Sequence, residues 1–248
     1  MSNNNTNNVH SINEAEALNN KKKLGMAQIK NKAYGKTANH QKIVDAIHAD
    51  KKTINFGAAG TGKTFIPLNI GLQQVASGKY DQVIIYRSAV GVRDDGFLPG
   101  DDRKKIEPFE EPYMQIVQET FDVSSNEAYY WLKEKINAIA FRSTRFNQGI
   151  TTYRKFMIVD EAQNMTYKEL FNLLTRLGEG STIHFCGDFK KQDFLPEKEK
   201  SGFKLMIDVI KSSQKLMDQF EITQLTPSDV MRNDFVKDFI IADYDYFS

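Results

Sequence analysis

The 248-residue chain predicts an α/β fold, a mainly parallel sheet sandwiched by helices, on three observations. Five short apolar runs, at 53–56, 82–88, 155–160, 181–188 and 220–226, are mostly continuous rather than alternating, the pattern of strands buried on both faces. Helical periodicity fills several intervals between them, around 63–76, 166–177 and 203–217, which implies right-handed crossovers between parallel strands. A glycine-rich turn joins the first of these strands to the helix that follows it.

Residues 1–30 begin with eight asparagines in the first twenty positions and few large apolar groups, too little burial to offset the entropy of ordering, so a disordered tail is expected. Residues 31–248 are long enough for one well-buried core and are read as a single domain. From 21 to 52, nine lysines face only Asp45 and Asp50; this excess could touch phosphate backbones, although a solvated face is the commoner reason for it. Within it Ile43, Val44 and Ile47 form one helical stripe, with Gln41 near the helix start. The stretch at about 91–151 interrupts the alternation and is read as a helical insertion, with "GFLPGDD" as turn and Ala128, Trp131, Leu132, Ile136 and Ile139 as a helical stripe. Its Tyr129, Tyr130 and Trp131 could stack on bases, but aromatics on such a stripe are more often core.

The 33 Lys plus Arg nearly balance the 32 Asp plus Glu, so no global positive field announces a nucleic-acid binder. Cys186 is the one cysteine; it excludes an internal disulfide and a cysteine-based metal centre, and fits a reducing, cytoplasmic setting. Inside its strand it reads as a small buried hydrophobe. No apolar run approaches the ~20 residues that span a bilayer.

Gly57, Ala58, Ala59, Gly60, Thr61, Gly62, Lys63 and Thr64 spell G-x-x-x-x-G-K-T between a strand and a helix, the phosphate-binding loop. Glycine lets successive amides turn inward, and the helix start adds free N–H groups and a positive dipole end. Lys63 is expected to reach the β- and γ-phosphates of a nucleoside triphosphate, and Thr64 to ligate a bridging Mg²⁺. Pro67 falls at or just past the first helical turn, where a missing N–H costs little early and more later. In "KFMIVDEAQN" an apolar strand ends on Asp160 and Glu161, carboxylates at the strand end where open α/β sheets bind ligands. Asp160 would hold Mg²⁺ through water and Glu161 would orient and deprotonate an attacking water; alternatively the pair caps the next helix. In "FCGDFKKQD" the turn brings Asp188 and Gln192 to the same rim, where the Gln192 amide could contact a γ-phosphate or the water.

These three elements in this order, with "GFLPGD" between the first two, resemble the PhoH-like family of phosphate-starvation-inducible ATPases, from "TANHQ" at 37 to "DVMRNDFVKDFI" near 240. The resemblance implies a RecA-like P-loop NTPase similar to the first domain of superfamily-one helicases, with ATP and Mg²⁺ as ligands. It implies that Gln41 in "NHQ" reads the adenine, helped by Asn39, and that Arg232 in "SDVMRND" senses phosphate or acts as an arginine finger. "YRSAV" at 86–90 and "GFLPGD" at 96–101 stand where family stretches associated with nucleic acid lie. Ser88 departs from the family's proline, and Arg142 and Arg145 only loosely match its Arg-Gly-Arg-Thr stretch. No second RecA-like domain or nuclease domain is expected. A one-domain ATPase implies a homo-oligomer, with a hexameric ring as the family's suggestion, in which Arg232 or Arg176 completes a neighbour's site. The expected function is Mg²⁺-dependent ATP hydrolysis coupled to RNA or single-stranded DNA. The alternatives are a nucleotide-gated regulatory module and a small-molecule kinase, the latter disfavoured by the Asp-Glu pair.

Overall fold

A computed structural model of the protein describes residues 29–30, 35–88, 102–144, 151–188 and 202–246. The asparagine-rich start, "GFLPG", Arg145 and Gln192 lie outside the described residues. The elements run α1 (Ala38–His48), β1 (Lys52–Gly57), α2 (Phe65–Ala76), β2 (Gln82–Arg87), α3 (Asp102–Phe121) and α4 (Glu127–Tyr130), the last continuing into a π-helical turn (Trp131–Lys135). They continue with β3 (Ile139–Ser143), β4 (Lys155–Asp160), α5 (Tyr167–Thr175), β5 (Thr182–Gly187), α6 (Gly202–Lys211), α7 (Gln214–Met217), β6 (Phe220–Leu225) and α8 (Asp234–Tyr246). Among the described residues the six strands form one sheet in the order β3-β2-β4-β5-β1-β6, and every pairing is parallel. The α/β fold with a parallel sheet covered by helices is therefore as expected.

Five of the six strands match the apolar runs. β3 does not: Ile139, assigned above to a helical stripe with Ala128 and Ile136, starts an edge strand paired to β2. Only Ile139 of its five residues is fully buried, so the run lacks the apolar density of the inner strands. The aromatic cluster divides: Tyr129 is fully buried, whereas Trp131 is 38% exposed.

Local chemistry sets the helix starts. Thr37 caps α1 by accepting from the His40 N–H (3.3 Å). Thr166 and Glu169 cap α5 reciprocally, satisfying two amides that a helix start leaves without partners. Pro67 is the third residue of α2, inside the first turn, where no intrahelical acceptor awaits its missing N–H.

Because parallel strands carry in-register residues to the same side, the sheet has two distinct faces. Val83, Ile85, Phe156, Ile158 and Cys186 face α1 to α4 within one apolar cluster. Ile84, Met157, Val159, Ile183 and Phe185 face α5 to α7 within another. Arg87 and Asp160, at the carboxyl ends of β2 and β4, continue the phase of the first set and so project towards α2 and α3.

Candidate functional site

The loop after β1 folds as its glycines require. Gly57 has φ +140°, and a Cβ there would lie 1.9 Å from the Leu225 carbonyl oxygen of β6; Gly62 has φ +79°, a region L side chains rarely adopt. Three further contacts fix the loop. Thr61 Oγ1 donates to Ala58 O (2.8 Å), the Met231 N–H donates to Gly60 O (3.0 Å), and the buried His40 ring nitrogen Nε2 meets Thr61 O (2.9 Å). Residues Ala59 through Phe65 line a cavity of about 370 Å³ that also takes in Arg87, Tyr113, Asp160, Glu161, Asp188 and Arg232. Gly57 and Ala58 lie behind it. Their carbonyls accept from Lys63 Nζ at 2.7 and 2.6 Å.

Burial lowers the pKa of Lys63, while the nearby Asp188, Asp160 and Glu161 act in the opposite sense. Thr64 stands at the cap position of α2 without making a capping bond. Its hydroxyl instead donates to Asp160 Oδ1 (2.8 Å). The other carboxylate oxygen, Oδ2, accepts from the Tyr113 hydroxyl (2.8 Å). Burial foremost, and then the neighbouring Asp160, push the Tyr113 pKa well up. Burial works to lower the Arg87 pKa, but a hydrogen bond to Tyr113 and the charges of Asp160 and Glu161 raise it overall.

Glu161 follows in a left-handed conformation (φ 51°, ψ 43°), uncommon for a residue with a side chain. Its Oε2 accepts from Gln163 Nε2 (2.5 Å), and Gln163 Oε1 accepts from the Asp188 N–H (2.9 Å). The buried Gln163 thus ties the ends of β4 and β5 together. Cys186 is buried as expected, with its thiol donating to Lys63 O (3.1 Å), and burial pushes its pKa well up.

Lys63, Thr64, Asp160, Glu161 and Arg232 therefore meet at one cavity. Gln41 is exposed in the first turn of α1, with its amide donating to Asp45 Oδ1 (2.7 Å) and Gly35 packed on its side chain; it does not line the cavity, whereas Lys36 does. The Asn39 amide donates to Asp229 Oδ2 (2.9 Å), and Thr37 Oγ1 donates to Asp229 Oδ1 (2.5 Å). Asp229 thus latches the start of α1 to the segment that carries Arg232. Burial opposes ionisation of Asp229, but its bonds from Thr226, Thr37 and Asn39 lower its pKa overall. Arg176 accepts from the Thr152 N–H through its carbonyl, near the start of β4 and hence at the opposite end of the sheet. Arg142 pairs in register with Tyr86 and shares its face, away from Asp160.

Two hard oxygen donors, Thr64 Oγ1 and Asp160 Oδ1, lie side by side, and no group of three or more His, Cys, Asp or Glu able to hold a metal exists among the described residues. That donor set suits Mg²⁺, which takes one or two protein oxygens and completes its shell with phosphate and water. It would not make a closed protein cage. Sequence reasoning missed Tyr113, Gln163, His40 and Asp229, because none of them belongs to the loop motif or the acidic pair.

The family model described as PhoH-like protein matches residues 32–245. The chain belongs to the PhoH-like family. Curated PhoH-like relatives include one from Mycobacterium bovis, 31% identical over 208 residues, covering 84% of this chain and 56% of the relative. One from Synechocystis is 33% identical over 208 residues, covering 84% and 61%. Protein PhoH of Escherichia coli is 31% identical over 158 residues, covering 63% and 44%. This PhoH-like chain thus spans little more than half the length of the relatives it matches most fully. Among solved structures, the Pif1 helicase from Candida albicans aligns with a TM-score of 0.36 at 14% identity, covering 77% of this chain and 39% of the helicase, a likeness too slight to bear on function. Family and loop geometry together identify a P-loop NTPase-type protein. No helix among the described residues is long and apolar enough to cross a membrane.

Proposed function

We propose that this PhoH-like chain is a Mg²⁺-dependent ATPase whose turnover is coupled to RNA or single-stranded DNA. The observation that carries the reading is the Thr64 to Asp160 hydrogen bond of 2.8 Å, which puts the two proposed metal ligands in contact with Glu161 as the next residue. Mg²⁺ held by Thr64 and Asp160 would supply neutralisation of phosphate charge. The chain's own groups do the rest. The amides of residues 59–64 cradle the phosphates, and Lys63 exchanges a loop carbonyl for a phosphate oxygen. Glu161 orients water and takes its proton. Gln163 holds the Glu161 carboxylate from behind. Arg232, exposed at the cavity rim, answers the charge on the transferred group, in its own subunit or in a neighbour's within a homo-oligomeric ring. Gln41 and Asn39 remain on the proposed adenine side, with Asn39 acting through Asp229, and Gln192 remains the proposed γ-phosphate contact.

The deciding experiment is steady-state ATPase activity of wild type and Glu161→Gln, each with and without RNA or single-stranded DNA. Glu161→Gln should lower turnover at least about 100-fold while Mg²⁺-ATP binding persists. Full activity in that variant sinks the base assignment. Turnover indifferent to every nucleic acid at low salt, where phosphate contacts are strongest, removes the coupling; slow or absent turnover with nucleotide-dependent assembly favours a nucleotide-gated module.

A further inference from the structure

The carboxylate of Asp160 is gripped at both oxygens by hydroxyls from different elements. Thr64, at the start of α2, holds Oδ1 (2.8 Å), and Tyr113, midway along α3, holds Oδ2 (2.8 Å). A carboxylate with one oxygen pinned by a buried donor cannot spin about its last bond, so the other oxygen keeps its aim. Tyr113 is itself immobilised. It is fully buried, and its ring lies 5.8 Å from that of Phe141 on β3.

The helix that carries Tyr113 is anchored on either side of it. One turn earlier the buried Glu110 accepts from Tyr129 Oη (2.8 Å) and from Lys133 Nζ (2.7 Å to each oxygen). Two turns later Thr120 Oγ1 accepts from Asn69 Nδ2 of α2 (3.0 Å). The phenol therefore reaches Asp160 from a braced position, 47 residues away in sequence.

We propose that Tyr113 is a positioning residue for Asp160. By holding Oδ2 it keeps Oδ1 turned to Thr64, so that the two oxygens stand ready for the divalent cation. This inference rests on the Mg²⁺-nucleotide reading of the site. Partners of this kind behind a metal-binding carboxylate orient it, and their removal typically weakens metal affinity 10- to 100-fold.

The test is Tyr113→Phe, which keeps the ring and deletes the hydroxyl. Equilibrium binding of a fluorescent ATP analogue is followed across a Mg²⁺ titration and again in excess chelator, alongside thermal unfolding of the free protein. The Mg²⁺ midpoint should rise about tenfold, with chelator-state affinity unchanged. Phe141→Leu, which loosens packing against the ring but leaves the hydroxyl, should hold the midpoint within about twofold of wild type. Three results overturn the inference: a Tyr113→Phe midpoint within twofold of wild type, affinities falling in parallel with and without Mg²⁺, or Phe141→Leu moving the midpoint as far as Tyr113→Phe does. If wild type itself gains nothing from Mg²⁺, the underlying reading falls and takes this inference with it; if wild type gains and Tyr113→Phe matches it, only the positioning role is lost.

Discussion

The two faces of the sheet are built from different materials. The face under α5 to α7 is apolar along its centre, from Ile54 and Ile84 to Phe185, closed by Leu170, Leu173 and Ile207. The opposite face buries a polar line between β1 and β5. Asn55 Nδ2 donates to Thr53 Oγ1 (3.0 Å), Thr53 meets His184 Nδ1 (3.1 Å), and His184 Nε2 meets Thr182 Oγ1 (3.3 Å). The groups of the proposed site, Arg87 and Asp160, extend this second face at its carboxyl end. One side of the molecule is thus cohesive through apolar packing alone, while the other combines a large apolar cluster with buried hydrogen bonding and, at its carboxyl end, charge.

The sharpest way to break that contrast is Lys63→Ala. Turnover should fall about a thousandfold, equivalent to about 4 kcal/mol of barrier. Unfolding free energy should stay within about 1 kcal/mol, because a buried ammonium stabilises the fold little once its own desolvation is counted. ATPase assays paired with urea unfolding check both halves; a large loss of stability would mean that the polar face also holds the fold together. Leu173→Ala on the apolar face should do the reverse. Leu173 is 2% exposed, and truncation at such a site costs roughly 2–5 kcal/mol, while nucleotide affinity of the folded protein should remain within twofold.

The smallest effect is one of pH. Burial foremost, with Lys52 adding to it, lowers the His184 pKa from 6.5 to about 3. Between those values the unfolded chain takes up a proton that the folded chain refuses. Stability is therefore fully present above pH 6.5 and declines as pH falls, by up to about 1.4 kcal/mol per pH unit. Unfolding at pH 7 and pH 5 should differ by about 2 kcal/mol more in wild type than in His184→Gln; equal differences would show that the polar line bears no acid sensitivity.

The same contrast explains what could be read from the sequence. The inner strands were legible because burial on both faces leaves an unbroken apolar run, as in Phe156 to Val159. Edge strand β3 was not, since "INAIAFRS" at 136–143 carries few large apolar residues beyond Ile139 and continues the spacing of the helix before it. Lys63 and Thr64 were legible as candidates because local spacing after β1 encodes them, and Asp160 and Glu161 because they close the apolar run of β4. Tyr113 acts only where the chain returns after a long separation, and Asp229, which also caps its own turn through Thr226, reaches α1 in the same way; no local pattern carries those long-range pairings. Gln41 is the opposite case: its amide is engaged by Asp45, one helical turn away, a local pairing that the helical spacing carries.

Glu161 carries a last implication. A glycine would occupy that left-handed corner without strain, whereas a side chain there costs about 1 kcal/mol or more. The most comfortable residue for the backbone is thus one with no carboxylate to offer. Any search for sturdier variants that scores thermal tolerance alone should drift towards glycine at this corner and select molecules that endure heat but lack the proposed base.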